Sequence, residues 1–335
     1  MKDLLDSAKK KMYAARLKRP TPYVDKTVYV GWNSMCVSAY LEAAKVLDLE
    51  DARRFALRSL DRILAEAWKA HVGNAGEGDR ATQSNARLLH VVAYSDPKAE
   101  HREVSGLLDD YAATALACLD AYEATADLSY FKFALAIGDA MIAKFFDAIS
   151  GGFFDAEPAA DGKSLGVLST RRKPLQDSPT PAGNPMAAIA LLRLHHYTGD
   201  EGYRDKAEQT LEAFAGIVEQ FGIFAGTYGI AVVHFLESAV QVVVIGDSKS
   251  EEKARVLAGI ATAAFAFSKT VLRLTANEAV TANLPPTLAA TLPNLPQLSS
   301  GESFAVLCAG FTCQAPITDP AGLRVAMGSA LNDQK

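Results

Sequence analysis

Apolar and polar residues follow one pattern three times along the first part of the chain. In each repeat a short polar loop leads into a segment that is apolar on nearly every side, and a second segment with one apolar stripe follows. The loops are Gly31-Trp32-Asn33, Leu108-Asp109-Asp110-Tyr111 and Pro181-Ala182-Gly183-Asn184. Asp48, Asp127 and Asp200 mark the connection within each unit, so the unit recurs after 79 and then 73 positions. Such self-similarity is typical of stacked or closed arrays.

The two segments of each unit predict an inner and an outer helix. Segments 35–46, 112–122 and 186–194 are apolar nearly all round, which predicts helices buried on every side. The second segments place apolar residues at steps of three and four, on one helical face. Their stripes are Ala56, Leu60, Ile63 and Ala67; Tyr130, Ala134, Ile137, Met141 and Phe145; and Ala207, Leu211, Phe214, Val218 and Phe221. The pattern therefore predicts a mainly α chain folded as an α/α toroid, with the starts of its inner helices, and the three polar loops, at one end.

The pattern changes after residue 239, where β-branched runs begin. Runs 240–245 and 270–275 predict strands with a helix at 248–267 between them, the outline of a βαβ unit. A third strand at 303–308, an extended loop at 284–298 and a last helix at 321–331 complete the prediction. We therefore divide the chain into an α/α-hairpin toroid segment, 1–239, and a small C-terminal α/β appendage, 240–335, packed on the toroid.

Charge and composition limit the classes of partner that this chain is expected to bind. A net charge of −5 over 335 residues gives no reason to expect nucleic acid or an anionic membrane surface as a partner. No apolar run approaches the about 20 residues of a membrane span, and the first 19 residues form a charged amphipathic segment without a signal-peptide core. We expect a cytoplasmic protein with no nucleic-acid or membrane partner.

The cysteines and histidines predict neither a metal nor a cofactor. Cys308 and Cys313 form a C-x4-C pair, but a zinc site needs two further ligands at a suitable spacing. The six histidines form no HxH or HExxH pattern. A structural role is expected for the cysteine pair, and the sequence leaves its redox state open.

The loop motifs resemble a known family. The motifs are Asp25-Lys26 before Gly31-Trp32-Asn33, then Leu108-Asp109-Asp110-Tyr111-Ala112, Gly151-Gly152-Phe153-Phe154, Asp177 before Pro181-Ala182-Gly183-Asn184, and a tail from Cys308 to Asp319-Pro320. In this order they are similar to the thioredoxin-domain-containing family that includes the spermatogenesis-associated proteins. The resemblance implies a six-hairpin α/α toroid, similar to that of N-acylglucosamine 2-epimerases and toroidal glycosidases, behind an N-terminal thioredoxin-like domain.

This chain departs from the family pattern in two ways. It has no CxxC motif and no thioredoxin-like domain, and it shows about three hairpins where six close a ring. We therefore expect an incomplete toroid, either a truncated or split family member or one completed by a partner chain or a second copy. Its exposed apolar inner helices would then form an interface.

The loops carry the candidate catalytic groups. A glycosidase needs two carboxyls about 5 Å or about 6.5–9.5 Å apart. Asp109 and Asp110 are adjacent and point different ways, so we expect Asp110 to face Asp177 or Asp25 across the cavity. His234 is a further candidate acid or base, because its segment is expected to start a fourth inner helix.

Other loop residues are candidates for substrate binding. Trp32 is suited to stacking on a sugar ring, whereas the alternative is a packed ring. Lys26 and the helix N-termini favour an anionic group on a sugar. The remaining candidates are Asp25, Asn33, Asp109, Tyr111 and Asn184. The structural alternative is that Asn33, Asp110 and Asn184 are helix N-caps and that Tyr111 packs in the core.

Two functions therefore stay open. One is a carbohydrate-binding or carbohydrate-processing toroid, epimerase- or isomerase-like and, less specifically, glycosidase-like. The other is a non-catalytic binding or assembly module, a truncated or split family member without the thioredoxin-like domain.

Overall fold

Helical hairpins form the first part of the molecule. The computed structural model describes residues 1–69, 86–94, 103–158, 170–246 and 251–332. The helices of this part are α1 Lys2–Arg16, α2 Val30–Leu47, α3 Glu50–Ala67, α4 Leu108–Thr125, α5 Leu128–Phe145, α6 Gly183–Thr198, α7 Glu201–Ala215 and α8 Gly226–Leu236. Helices α2, α4, α6 and α8 lie side by side as an inner row, and α3, α5 and α7 pack behind them. This arrangement confirms the α/α-toroid prediction, and the described residues form an arc of three hairpins plus α8.

Burial distinguishes the inner helices from one another. Helices α4 and α6 bury residues all round, from Tyr111 to Tyr122 and from Gly183 to Tyr197. Helix α2 buries only one face, with Ser34, Val37 and Leu41 inside. The prediction of a helix buried on every side is therefore wrong for 35–46. Helix α2 lies at the edge of the arc: among the described helices it packs on α3 and α4 and makes only a small contact with the later helix Glu251–Ala263.

The helices begin earlier than the loop motifs predict. Asn33, Asp110 and Asn184 are the fourth, third and second residues of α2, α4 and α6, so none of them is an N-cap. The side-chain N-caps are instead Asp127, which accepts Ser129 N–H, and Asp200, which accepts Gly202 N–H, both at 2.9 Å. They start the outer helices α5 and α7, and their recurrence explains the spacing of the repeat.

The third outer stripe is shorter than expected. Helix α7 ends at Ala215, and a 3-10 segment, Val218–Ala225, follows it. Ala207, Leu211 and Phe214 are buried, whereas Val218 and Phe221 are only half-buried. The chain turns at Gly216 and again at Gly222, which has a positive φ of 51°. These two glycines end the helical period that the stripe assumed.

A four-stranded sheet packs on the hairpins. Its strands are β5 Val240–Gly246, β6 Lys269–Thr275, β7 Phe304–Ala309 and β8 Thr312–Cys313, in the order β6-β5-β7-β8. Strands β5 and β6 are parallel and flank α9, Glu251–Ala263, which confirms the βαβ outline. Strand β7 runs antiparallel to β5. The predicted third strand is therefore confirmed, one residue later than expected.

The two faces of the sheet belong to different cores. Val243, Ile245 and Phe304 point into the hairpin core. Val242, Val244 and Leu307 pack with α9 and α11, Pro320–Asn332. Segment 284–298, predicted as an extended loop, contains α10, Pro286–Thr291, and two 3-10 turns. Pro286, Pro293 and Pro296 sit at first-turn positions, where no helical hydrogen bond needs their missing N–H, and Pro285 is the N-cap of α10.

Two further features of the described residues bear on the sequence predictions. Cys308 and Cys313 form a disulfide across the β7–β8 hairpin. Among the described helices, no single one is long and apolar enough to cross a membrane, and one pair, Glu201–Ala215 with Val218–Leu236, meets that length and composition test only across a 109° bend.

Candidate functional site

Short strands gather the polar loops at the start of the inner helices. Strand β1, Thr27–Tyr29, pairs with β4, Val91–Ala93, and β2, Trp68–Lys69, pairs with β3, Arg87–Leu88. Val30 N–H also donates to His90 O at 2.9 Å. The segment that returns from the outer helix α3 is therefore fixed beside the start of α2. This pairing brings His90 next to Asp110, 20 residues further along.

His90, Asp110 and the backbone of α2 form a hydrogen-bonded group. Asp110 is buried, and its Oδ1 accepts Gly31 N–H at 2.8 Å. Its Oδ2 accepts Leu107 N–H at 2.8 Å and lies 2.8 Å from His90 Nδ1. Gly31 is required at this close approach, because a β-carbon there would lie 2.9 Å from Asp110 Oδ1. Asp110 thus joins the starts of α2 and α4 and fixes the His90 ring.

These contacts set the tautomer of His90. A carboxylate has no proton to donate, so Nδ1 carries the proton shared with Asp110. In the neutral ring Nε2 is then a proton acceptor. The side chain of His90 is about one-third exposed, at 31%, and no described residue bonds to Nε2. The Asp110 contact therefore orients the His90 ring, and Nε2 has no hydrogen-bond partner among the described residues.

Asp109 is the carboxyl most suited to acid chemistry. It is half-buried beside Gly183 at the start of α6, and no described residue hydrogen-bonds to it. Burial, together with the charges of Asp110 and Asp155, raises the pKa of Asp109 to about 6, whereas His90 opposes this rise. A carboxyl with such a pKa holds its proton over part of the neutral range and is able to act as an acid or a base.

Two aromatic rings lie beside this group. Trp32 is 57% exposed, and its ring centroid lies 4.9 Å from that of Tyr29. The Tyr29 ring in turn meets the His90 ring edge to face, with centroids 5.6 Å apart. The Trp32 ring thus contacts Tyr29 and still leaves more than half of its surface exposed. Asn33 donates to Tyr29 O at 2.8 Å and so supports this loop.

Asn184 and Tyr111 are buried and bond to backbone groups of distant loops, in line with the structural alternative for these residues. Asn184 is buried; its amide accepts Phe153 N–H at 2.6 Å and donates to Phe153 O and Pro174 O, both at 2.9 Å. Both amide protons are therefore used. Tyr111 is buried against Phe145, and its hydroxyl accepts Leu88 N–H at 2.8 Å. Burial raises the pKa of the Tyr111 hydroxyl, and packing is its role.

Asp177 connects the loop before α6 to the start of α8. Its Oδ1 accepts Ala182 N–H at 2.9 Å, and its Oδ2 accepts Thr227 N–H at 2.8 Å, at the start of α8. Each oxygen is thus engaged by the backbone, and no described contact links Asp177 to Asp110. Asp25 accepts both the N–H and the hydroxyl of Thr27 in an exposed turn, beside exposed Lys26. The predicted pairing of Asp110 with either aspartate has no supporting contact.

His234 lies away from the starts of the inner helices, contrary to the prediction. Helix α8 begins at Gly226, so His234 belongs to its last turn and not to its start. Eight residues of helix separate the two, about 12 Å at 1.5 Å per residue. The His234 ring is buried, with Nδ1 2.9 Å from Ser268 Oγ beside the sheet.

His90 and Asp155 are the site residues that the sequence prediction missed. His90 stands alone at the end of the apolar pair Leu88-Leu89, and Asp155 follows the Gly151-Gly152 motif. Neither belongs to a recognisable spacing, because strand pairing between distant loops brings them to Asp109 and Asp110. Within the described ranges, no cluster of three or more His, Cys, Asp or Glu side chains is arranged to hold a metal ion.

Sequence comparison finds named relatives of this chain. The chain is 26% identical over 325 residues to spermatogenesis-associated protein 20 of Homo sapiens, covering 97% of this chain and 39% of that protein. The protein of the same name from Rattus norvegicus is 28% identical over 326 residues, covering 96% and 38%. The name agrees with the family that the loop motifs resemble. The chain spans about two fifths of the length of these relatives. No family model matches it.

Comparison with solved structures finds helical carbohydrate enzymes. A glycoside hydrolase family 76 α-mannanase from Bacteroides thetaiotaomicron has a TM-score of 0.45 and 16% identity, over 72% of this chain and 58% of that one. D-mannose isomerase has a TM-score of 0.31 and 13% identity, over 58% of this chain and 62% of that one.

Proposed function

We propose that this chain binds and processes a carbohydrate at the mouth formed by Trp32, His90 and Asp109. The oriented His90–Asp110 pair beside the protonatable carboxyl of Asp109 is the observation that carries the proposal. A base and an acid with these properties are what proton transfer at a sugar carbon requires. The exposed Trp32 offers the apolar face on which a sugar ring stacks.

The geometry favours an epimerase- or isomerase-like reaction over glycoside hydrolysis. Hydrolysis needs two carboxyls on opposite sides of the scissile bond, and the carboxyl oxygens of Asp110 are taken by Gly31, Leu107 and His90. In the proposed reaction His90 Nε2 removes a proton from the carbon next to the sugar carbonyl, and Asp109 donates a proton to the carbonyl oxygen. Asp110 is a positioning residue that holds the imidazole in its reactive tautomer.

Exchange with solvent of the proton on the carbon next to the sugar carbonyl tests the reaction. Unprotected aldoses and ketoses are incubated with the protein in D2O, and NMR follows the loss of the C2 proton signal of the aldoses and of the C1 proton signals of the ketoses. We expect His90→Gln to slow exchange by about 10²–10⁴-fold, the range for removal of a general base. Absence of exchange with every sugar of the panel would contradict the proposed reaction.

Trp32 and Tyr40 provide a matched pair for the binding step, because both are exposed aromatic residues on α2 and only Trp32 borders His90 and Tyr29. We expect Trp32→Ala to weaken sugar binding roughly five- to tenfold, the loss of one aromatic contact. Tyr40→Ala is expected to leave the affinity unchanged. Equal effects of the two substitutions would show that the mouth is not the sugar site.

A second candidate function rests on the open edge of the arc. A stripe of apolar residues runs along the outward face of α2 at steps of four and three. Its members are Trp32, Cys36, Ala39, Ala43 and Val46. This spacing is that of an inner-helix or coiled-coil contact. On this candidate the chain acts as a non-catalytic assembly module that a second copy completes.

A further inference from the structure

A cavity lies at the end of the hairpins opposite the mouth. It measures about 400 Å³ and is formed where the C-terminal ends of the inner helices meet the first residues of β5 and β6. His196 and His234 reach it from α6 and α8, and Gln241 reaches it from β5. Its size lies within the range of small-molecule sites, roughly 300–1,000 Å³.

The basic groups around this cavity are already engaged by carboxylates or by helix-end carbonyls. Arg193 pairs with both Asp120 and Glu123 at 2.7 Å, and Lys45 pairs with Glu42 at 2.5 Å. Lys269 donates to Ala261 O at 2.7 Å, to Thr262 O at 3.0 Å and to Ala264 O, at the end of α9. All three of its protons are used by this helix end. A charged ligand would therefore bring a charge without a free counter-charge, which is costly away from water.

Neutral hydrogen-bonding groups that line the cavity, in contrast, lack partners among the described residues. Gln241 is 95% buried, since its exposed fraction is 5%, and its Nε2 donor has no partner in the described structure. No described residue hydrogen-bonds to the His196 ring or to His234 Nε2. Burial lowers the pKa of His196 to about 3 and that of His234 to about 4, so both rings are neutral in the neutral pH range. A neutral ring has one donor and one acceptor; on His234 only Nε2 is left, because Nδ1 is bonded to Ser268 Oγ.

From these groups we infer that the cavity is a second binding site, for a neutral, hydroxyl-rich molecule of about monosaccharide size. A hydroxyl group both donates and accepts, which satisfies an amide N–H and a neutral imidazole together. A buried donor without a hydrogen-bond partner, such as Gln241 Nε2, destabilises the folded protein, and a hydroxyl group of such a ligand would supply the missing hydrogen bond. This inference does not depend on the proposed reaction, because the cavity shares no residue with the mouth.

Histidine NMR signals separate the two sites. The full chain, labelled at its histidines, is titrated with D-glucose, D-mannose and myo-inositol as neutral probes, and with D-gluconate and D-glucosamine as an anion and a cation of similar size. We expect at least one neutral probe to shift the His196 and His234 signals, and the charged probes to shift them less. Shifts confined to His90 would report the mouth alone and would overturn the second site. The same holds if no neutral probe shifts His196 or His234, or if the charged probes bind equally well.

Two substitutions test the contacts. Gln241→Met keeps the length of the buried side chain without its amide, and His196→Phe keeps a ring without its nitrogens. Each is expected to weaken binding roughly fivefold or more, the loss of one hydrogen bond. His196 is only half-buried, so His196→Phe remains informative if Gln241→Met fails to fold. Trp32→Ala is the control and should leave this affinity unchanged. Wild-type affinity in the folded variants would overturn the proposal.

Discussion

Two adjacent carboxyls, Asp109 and Asp110, show how environment separates the roles of identical residues. Asp110 is buried but accepts two backbone N–H groups and the His90 ring, so its charge is stabilised. Asp109 has no hydrogen-bond donor among the described residues, and burial and the neighbouring carboxyls raise its pKa to about 6. A group held away from its ordinary pKa costs the folded state free energy, which is typical of functional sites.

Replacing Asp109 by asparagine should therefore stabilise the folded protein at neutral pH. The unfolded carboxyl ionises near pH 3.8 and the folded one near 6, so folding binds a proton between these values and wild-type stability falls as the pH rises through them. We expect Asp109→Asn to exceed wild type by about 1–3 kcal/mol above about pH 7, with no difference below about pH 4. Urea unfolding across this range measures the effect.

An exposed carboxyl on α7 supplies the control. Asp205→Asn removes the same charge where burial is absent, and its stability difference from wild type should not change with pH. A lower stability of Asp109→Asn at neutral pH would show that Asp109 makes a favourable contact as an anion.

The sequence pattern located the loops at the starts of the inner helices but did not separate the exposed side chains in them from the buried ones. Trp32, Asp109 and Asp110 were recognisable because polar and aromatic residues interrupt apolar runs there. Asn184 and Tyr111 have the same local pattern, yet they satisfy the backbone of distant loops at Phe153 and Leu88. The choice between solvent and a buried backbone partner is made by tertiary packing, which a local pattern does not contain.

At the scale of elements, close contact between helix starts positions the mouth. A β-carbon at Gly183 would overlap Asp109 Oδ1 and lie 2.8 Å from Leu108 Cδ2. The absence of a side chain at Gly183 lets the start of α6 approach the start of α4. Gly259 in α9 is the opposite case, because an added β-carbon there meets no atom within 4 Å.

Alanine substitution at these two glycines should change the free energy of unfolding in opposite directions. Gly259→Ala is expected to raise the free energy of unfolding by roughly 0.5–1 kcal/mol, because alanine is the better helix former in an exposed helix interior. Gly183→Ala is expected to lower it by about 1–3 kcal/mol, because the methyl group must displace Asp109 and Leu108. Urea unfolding of the two variants measures both changes. Stabilisation by Gly183→Ala would mean that α4 and α6 have room to separate.

Element types were predictable, but element ends were less so. The stripes on α3 and α5 and the β-branched runs of β5 and β6 carry strong periods, and the structure contains all four. The start of α2 at Val30 was not predictable, because Asp110 and the β1–β4 pairing supply the contacts that capping residues usually provide. Likewise Gly216 and Gly222 end the stripe of α7 without any change in apolar spacing.

For the whole molecule, the arrangement gives two ends with different chemistry. The starts of the inner helices carry the proposed acid Asp109, the proposed base His90 and the exposed ring of Trp32, whereas their C-terminal ends enclose neutral donors and acceptors beside the sheet. The sheet is fixed to the hairpins through Val243, Ile245 and Phe304. Only the first of these ends was visible in the sequence, because the second forms between segments far apart in the chain.

The outward face of α2 leads to a prediction about assembly. Trp32 and Val46, at the two ends of the stripe, are 57% and 58% exposed, and Ala39 lies near its centre. Apolar residues at this spacing are stabilised by a second helix that buries them. We therefore expect the chain to self-associate, with a mass in light scattering that rises with concentration.

A charge at the centre of the stripe should abolish this association. Ala39→Glu places a carboxylate in the expected interface, where it would lack a partner, so we expect a monomer at every concentration. Ala213→Glu puts the same residue on the exposed face of the outer helix α7, away from the stripe, and should associate as wild type does. A wild-type chain that is monomeric throughout would contradict the assembly function. Because association through this face would also cover Trp32, sugar binding that weakens as the oligomer forms would show that the two candidate functions compete for one surface.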